Sequence, residues 1–305
     1  MTTTGTTWRR STDDRVAGVN FDFGEYQQLV ALVQNSIYAG ALLGVVGGLI
    51  GIFVMQRDLQ FAVHGLSELS FAGAAAALLF GANVVLGATV GSLLAALVIG
   101  LVGVRARERN SIVAVLMPFG LGLGILFLAL YPGRSANKFG LLTGQVVSVG
   151  DEQLGLLLAI SALVLLCLLV MWRPLSFSSV DPDVARARGL PVTGISIGFM
   201  ILLGLAVAVS IQIVGALLVL ALLVTPAAAA MRVTASPVLT PLLSVVFAVT
   251  AMVGGILLAL GGGLPISPFV TTISFAIYLV CRVVGRRRRS PGRQRRQVAR
   301  VASNA

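Results

Sequence analysis

The sequence predicts an all-α fold, a polytopic transmembrane helix bundle of about nine spans. Three observations predict it. The 305-residue chain is 57% hydrophobic and only 11% charged, whereas a soluble globular protein carries roughly 25% charged residues; this chain cannot furnish a polar surface. Apolar runs of about 18 residues or more, long enough to cross hydrocarbon, recur from about residue 28 to residue 283. The basic residues fall mainly between those runs and after the last of them.

The runs lie at approximately 28–55, 59–80, 84–104, 110–131, 153–172, 191–209, 212–231, 236–260 and 265–283. Residues 191–231 are too long for one ordinary helix and suffice for two with a tight turn, so a split is expected near Ser210. Three regions follow: a polar N-terminal segment (1–27) expected outside the cytoplasm, a transmembrane domain (28–283), and a basic tail (284–305) whose composition predicts disorder. The N-terminal segment is Thr-rich and has no apolar core followed by a small-residue cleavage site, so no cleaved signal peptide is expected.

Charge sets the orientation. Nine arginines, from Arg282 to Arg300, follow Cys281. Placing that tail in the cytoplasm and counting back puts Arg57, then Arg105, Arg107 and Arg109, then Arg173, Arg186 and Arg188, then Arg232 on the same side. Outside remain Arg134, Lys138 and the N-terminal Arg9, Arg10 and Arg15, the last three offset by Asp13, Asp14, Asp22 and Glu25. The positive-inside rule is then satisfied with the N-terminus out. An eight-span alternative puts the N-terminus inside and needs one re-entrant segment. The same distribution reads the net charge of +11 as a membrane-side feature that touches anionic lipid, and argues against nucleic-acid binding.

Several chemistries are excluded. Cys167 and Cys281 lie far apart in apolar segments, so neither a disulfide framework nor a cysteine metal site is implied. The one lysine, Lys138, sits in Asn137-Lys138-Phe139-Gly140, so no phosphate-binding Gly-rich loop ends in Lys-Ser/Thr. The chain is not its own ATPase by that route. No His-Glu-x-x-His helix occurs.

Glycines are spaced for packing. Gly40, Gly44 and Gly48, and likewise Gly87 and Gly91, fall four apart, a spacing that lets helix backbones approach closely in lipid. The second run holds the polar candidates. His64 is the only histidine of the chain, and Glu68 is the only acidic residue within a run. Four residues apart, they share one helix face. Ionisable groups in hydrocarbon are costly and usually face a polar pathway or each other. Imidazole and carboxylate also suit a divalent transition metal, and Ser67 and Ser70 add oxygens nearby. The alternative is a pair that satisfies itself within the bundle. Two ligands do not close a metal site, so others must come from another helix, a second copy or a partner.

The loop from Ser178 to Pro191 has the grammar of a short helix. Asp181 suits the N-cap, Pro182 the first helical position and Gly189 the C-terminal stop. A docking surface for a cytoplasmic partner needs such order, whereas a plain connector does not.

Together these residues carry a resemblance. The stretch from Gly215 to Ala230, reading Gly-Ala-Leu-Leu-Val-Leu-Ala-Leu-Leu-Val-Thr-Pro-Ala-Ala-Ala-Ala, closely resembles the signature helix of permeases in the zinc/manganese family of ABC importers. The stretch from Asp181 to Pro191 resembles their cytoplasmic loop, and Leu141-Leu142-Thr143-Gly144-Gln145 resembles their outer-loop Leu-Leu-Phe-Gly stretch. Leu66-Ser67 and Gly73 match their second span. The resemblance covers roughly residues 30–283 and implies a type II ABC importer-like permease in a bacterial cytoplasmic membrane. It further implies a second permease copy, two cytoplasmic ATPases that bind the ATP, and an extracytoplasmic metal-binding lipoprotein. Asp181, Pro182, Asp183, Ala185, Arg186 and Gly189 would form the ATPase-coupling loop, and Gly215 and Pro226 are read as packing positions. The family's second span usually reads Asp-Ala-Leu-Ser-His-Ala. Here His64-Gly65-Leu66-Ser67-Glu68-Leu69 exchanges acid and imidazole while keeping their spacing. The transported ion is expected to be zinc first, then manganese, then ferrous iron, with no permanently bound cofactor. Two other readings stay open: a stand-alone proton-coupled transporter using Glu68 and His64, and a non-transporting scaffold acting through the basic tail.

Overall fold

The structure, a computed structural model, describes residues 33–102, 106–133, 150–216, 218–260 and 266–288. Every regular element among them is a helix: α1 (Gln34–Gln56), α2 (Gln60–Leu79), α3 (Val84–Val102), α4 (Ala106–Leu130), α5 (Asp151–Val180), α6 (Pro182–Ala187), α7 (Val192–Val214), α8 (Val219–Val233), α9 (Leu239–Leu260) and α10 (Ile266–Arg288). Eight of these are long and apolar enough to cross a membrane. The remaining apolar helix, α8, has 15 residues. It reaches about 22 Å at ~1.5 Å per residue, short of the roughly 30 Å hydrocarbon core.

Close helix crossings hold the bundle together, and glycine makes them. A Cβ on Gly44 would lie 2.8 Å from Val249 Cα, and one on Gly48 would lie 2.7 Å from Val245 Cα. On Gly40 it would meet Ile256 Cδ1 at 2.6 Å. The Gly40-Gly44-Gly48 face therefore packs antiparallel on α9, and Ser244 of α9 donates to the Gly48 carbonyl at 2.7 Å. A second glycine face of α1, formed by Gly47 and Gly51, lies against Leu222, Leu223 and Ala227 of α8. Gly47 and Gly51 also stand four apart, so the spacing signal is present; which helix they meet is decided by packing. On α2 and α3, Gly73 meets Gly87 and Gly91 backbone to backbone. Ser92 of α3 donates to the Gly204 carbonyl of α7 at 2.7 Å.

The split expected near Ser210 falls at Gly215 instead. Ser210 Oγ donates to the Ala206 carbonyl at 2.8 Å, so Ser210 stays within α7. Gly215 has φ 82° and ψ 158°, a conformation open essentially to glycine alone. It ends α7 there. Irregular backbone at membrane depth must be covered by protein. Val214, Ala216 and Leu218 are accordingly buried, and Ser267 donates to the Val214 carbonyl. Pro226, by contrast, is buried within α8, one residue from the Ala227 contact with Gly51.

Two helices outrun their apolar stretches. α5 continues past residue 172 to Val180, giving 30 residues, and Trp172 stays packed edge-on against Phe53 of α1 at 4.9 Å. α10 continues to Arg288, so the first residues of the basic tail are helical. Residues 1–32, the outer-loop stretch 141–145 with Arg134 and Lys138, and the tail from residue 289 lie outside the described residues. Helix α1 runs antiparallel to α9 and parallel to α8. α1 starts beside Asp151, as the 2.7 Å bond from Asn35 to Asp151 shows. Arg57, α6, Arg232 and Gly285 gather at the opposite end of the bundle.

Gly44→Ala and Gly48→Ala each place a methyl against backbone that no rotamer change can move. Each is expected to lower stability by about 1–3 kcal/mol, measured by thermal unfolding in detergent. Gly122→Ala, at a position with open space around it, should change little.

Candidate metal pathway and coupling segment

His64 and Glu68 stand on the second and third turns of α2, with His64 Nδ1 3.8 Å from Glu68 Oε1. That separation exceeds a hydrogen bond and leaves both groups with free ligand capacity toward the same side. Their face runs from exposed Phe61 through half-buried His64 to Glu68, which is only 4% exposed. Small residues bring α4 close here. A Cβ on Gly65 would lie 3.1 Å from Val113, and one on Gly120 would lie 3.0 Å from the Glu68 carbonyl carbon. The neighbouring hydroxyls are engaged elsewhere as donors: Ser67 bonds the His64 carbonyl at 2.8 Å and Ser70 the Ala88 carbonyl of α3 at 2.9 Å. Among the described residues no third His, Cys, Asp or Glu joins the pair.

The segment from Asp181 to Gly189 forms as its sequence dictates. Asp181 accepts from the backbone N–H of Asp183 at 3.1 Å and of Val184 at 3.0 Å, with Pro182 at the first helical position. At the other end Gly189 takes φ 81°. Its N–H bonds the Arg186 carbonyl while the Leu190 N–H reaches the Ala185 carbonyl, the paired bonds of a Schellman stop. Ala185 turns inward and is fully buried. Asp183 and Arg186 pair on the exposed face at 3.0 Å, where such a pair contributes little stability. The helix thus presents a rigid, exposed face on one buried anchor.

A third cluster lies beside α6. Arg57, at the corner between α1 and α2, donates from Nε to Ser179 Oγ at 2.7 Å, from Nη1 to Ser196 Oγ at 3.0 Å, and from Nη2 to Ser178 Oγ. Its guanidinium lies over the Phe199 ring at 5.8 Å. Burial lowers its pKa to about 10, with the Arg109 charge adding to the effect; it remains a cation at neutral pH. A cavity of about 320 Å³ opens beside it, lined by Arg57, Arg109, Ser178, Ser196, Pro182 and Arg186 among others. Gly194-Ile195-Ser196-Ile197-Gly198 has the Gly-x-Ser-x-Gly spacing of a hydrolase elbow. Ser196, however, lies inside α7 without the strand-to-helix turn, and its Oγ accepts from Arg57.

A family model described as the ABC 3 transport family matches residues 29–285. The chain belongs to the ABC 3 transport family. It is 32% identical over 225 residues to the manganese transport system membrane protein MntC of Halalkalibacterium halodurans, covering 73% of this chain and 77% of that one. It is 28% identical over 249 residues to the manganese import system permease protein ScaB of Streptococcus gordonii, covering 81% and 89%. Among solved structures, PsaBC from Streptococcus pneumoniae in complex with Fab is similar at a TM-score of 0.76 and 26% identity, covering 84% of this chain and 94% of that chain.

For this ABC 3 permease the structure brings His64 and Glu68 together on one face, and Asp181, Pro182, Asp183, Ala185, Arg186 and Gly189 into one capped helix. The two groups of residues stay apart. Arg57, which bonds the residues flanking α6, has no local sequence signal beyond a lone arginine between two apolar runs. Asp181→Ala removes both cap bonds and is expected to cost α6 about 0.5–2 kcal/mol. Faster hydrogen exchange at the Asp183 and Val184 amides, with α7 unchanged, would report it.

Proposed function

We propose that this chain is the membrane-spanning permease of an ATP-driven importer for a divalent transition metal ion. The observation that carries the reading is the His64/Glu68 pair, an imidazole and a largely buried carboxylate one turn apart inside a helix of an ABC 3 permease. A group of this kind within a membrane bundle marks a substrate or ion route. His64 and Glu68 supply two ligands to the passing ion. A second copy of the chain, the ion's own water or the delivering protein completes the shell.

Ligand chemistry alone ranks zinc first. The relatives named for manganese favour that ion here, and the harder Glu68 carboxylate suits it. A separate cytoplasmic ATPase docks on the exposed face of α6, and its cycle alternates access to the pathway. The α6 end of the bundle, with the arginines of the α10 terminus, faces the cytoplasm, as positive charge favours. A metal-binding lipoprotein delivers the ion on the opposite side, and two copies of the permease enclose the route.

The test is metal accumulation in vesicles holding the full chain, its ATPase and the delivering protein, with manganese and zinc compared with and without ATP. ATP-dependent manganese uptake exceeding that of zinc is expected. His64→Ala/Glu68→Ala should lower it about 10- to 100-fold, the scale of losing metal ligation or its support, without loss of assembly. Uptake that ignores ATP and follows a proton gradient would replace this reading with a secondary transporter. Uptake untouched by the double substitution would remove the pair from the route.

A further inference from the structure

We propose that Arg57 is a positioning residue that transmits displacement of α6 to α2, and so to His64 and Glu68; the proposal rests on the importer reading above. One guanidinium bonds both flanks of the coupling segment. Ser178 and Ser179 lie in the last turn of α5, which ends at Val180 just before Asp181, and Ser196 lies in the first turns of α7 after Pro191. Ser178 and Ser179 each also donate to the Leu175 carbonyl. Both hydroxyls are thereby oriented to accept from the cation, and charge-assisted bonds of this kind are the stronger ones. The Phe199 ring closes the other side of the guanidinium.

The backbone of Arg57 is held as firmly as its side chain. Its carbonyl accepts from Arg109 Nη2 of α4 at 3.2 Å, and its N–H bonds the Phe53 carbonyl at the end of α1. The corner that leads into α2 is only Arg57-Asp58-Leu59. Asp58 takes φ 53° there, and the Leu59 N–H bonds the Val54 carbonyl at 2.9 Å. So short and internally bonded a corner cannot absorb a shift of Arg57; the shift passes to the first turn of α2. His64 stands four residues beyond Gln60, and Glu68 one turn further. The cavity of about 320 Å³ beside Arg57, lined by Pro182 and Arg186 of α6, leaves α6 room to move toward the bundle.

The experiment measures ions imported per ATP hydrolysed, using the complete complex in vesicles with manganese as the probe. Wild type is compared with Arg57→Ala, Arg57→Lys and Ser196→Ala. For Arg57→Ala the ATPase rate should stay within about twofold of wild type while uptake falls about tenfold, a loss within the range of coupling energies between sites. Lysine carries the charge without the fork that reaches three serines. Arg57→Lys should therefore fold and assemble as wild type yet stay uncoupled, and Ser196→Ala should show a smaller loss in the same direction. An unchanged ratio in Arg57→Ala overturns the proposal. So does a proportionate fall of uptake and ATPase in Arg57→Lys, which would mark a structural role only. A wild-type complex without ATP-dependent uptake would instead overturn the importer reading, and this proposal with it.

Discussion

Hydrocarbon offers no partner to a backbone amide or carbonyl, so the backbone polar groups at that depth must be satisfied by the protein itself. The helices meet this requirement one by one. Their packing then becomes a matter of how closely satisfied cylinders can approach, because lipid supplies no hydrophobic drive between them. Gly44 and Gly48 bring α1 against the backbone of α9, and Gly73, Gly87 and Gly91 do the same between α2 and α3. At these distances a serine on one helix reaches a carbonyl on the next. Ser244 reaches Gly48, Ser92 reaches Gly204 and Ser70 reaches Ala88. Small residues and short hydroxyls thus act together, the first opening the approach and the second fixing its register.

The same requirement explains where the chain departs from regular helix. The break at Gly215 is tolerated because the residues around it are covered and because Ser267 takes the Val214 carbonyl. It starts α8 well inside the span of its neighbours. α1 follows it there with a second glycine face, Gly47 and Gly51. α1 is therefore a shared surface for two helices, which accounts for its density of glycine.

The candidate site residues sit on this frame in two groups. Helix α6 is held at the bundle end by one buried alanine and by its own caps. The His64/Glu68 pair lies within α2, away from it. Between them, the short corner at Arg57 is bonded to both flanks of α6 as well as to α4. Hydrogen bonds from a half-buried cation are directional and costly to leave unmade, so the corner holds one geometry.

Local rules made much of this legible in the amino-acid sequence. Apolar length located the apolar helices among the described residues, eight of them long enough to cross a membrane, and the Asp181-Pro182 start with the Gly189 stop defined α6, because caps are decided by neighbours in the chain. The one-turn spacing of His64 and Glu68 and the four-residue spacing of Gly40, Gly44 and Gly48 are likewise helix geometry. What the tertiary structure decided depends on residues distant in sequence. The helix break moved from Ser210 to Gly215 because a serine can bond back within its own helix, whereas only glycine takes the backbone angles of the turn. The extension of α5 to Val180 carries two serines that meet Arg57 across more than a hundred residues. Which face of α1 meets which helix, and that Arg57 grips both sides of α6, are outcomes of packing: no local pattern encodes a contact whose two halves are joined only when the bundle closes.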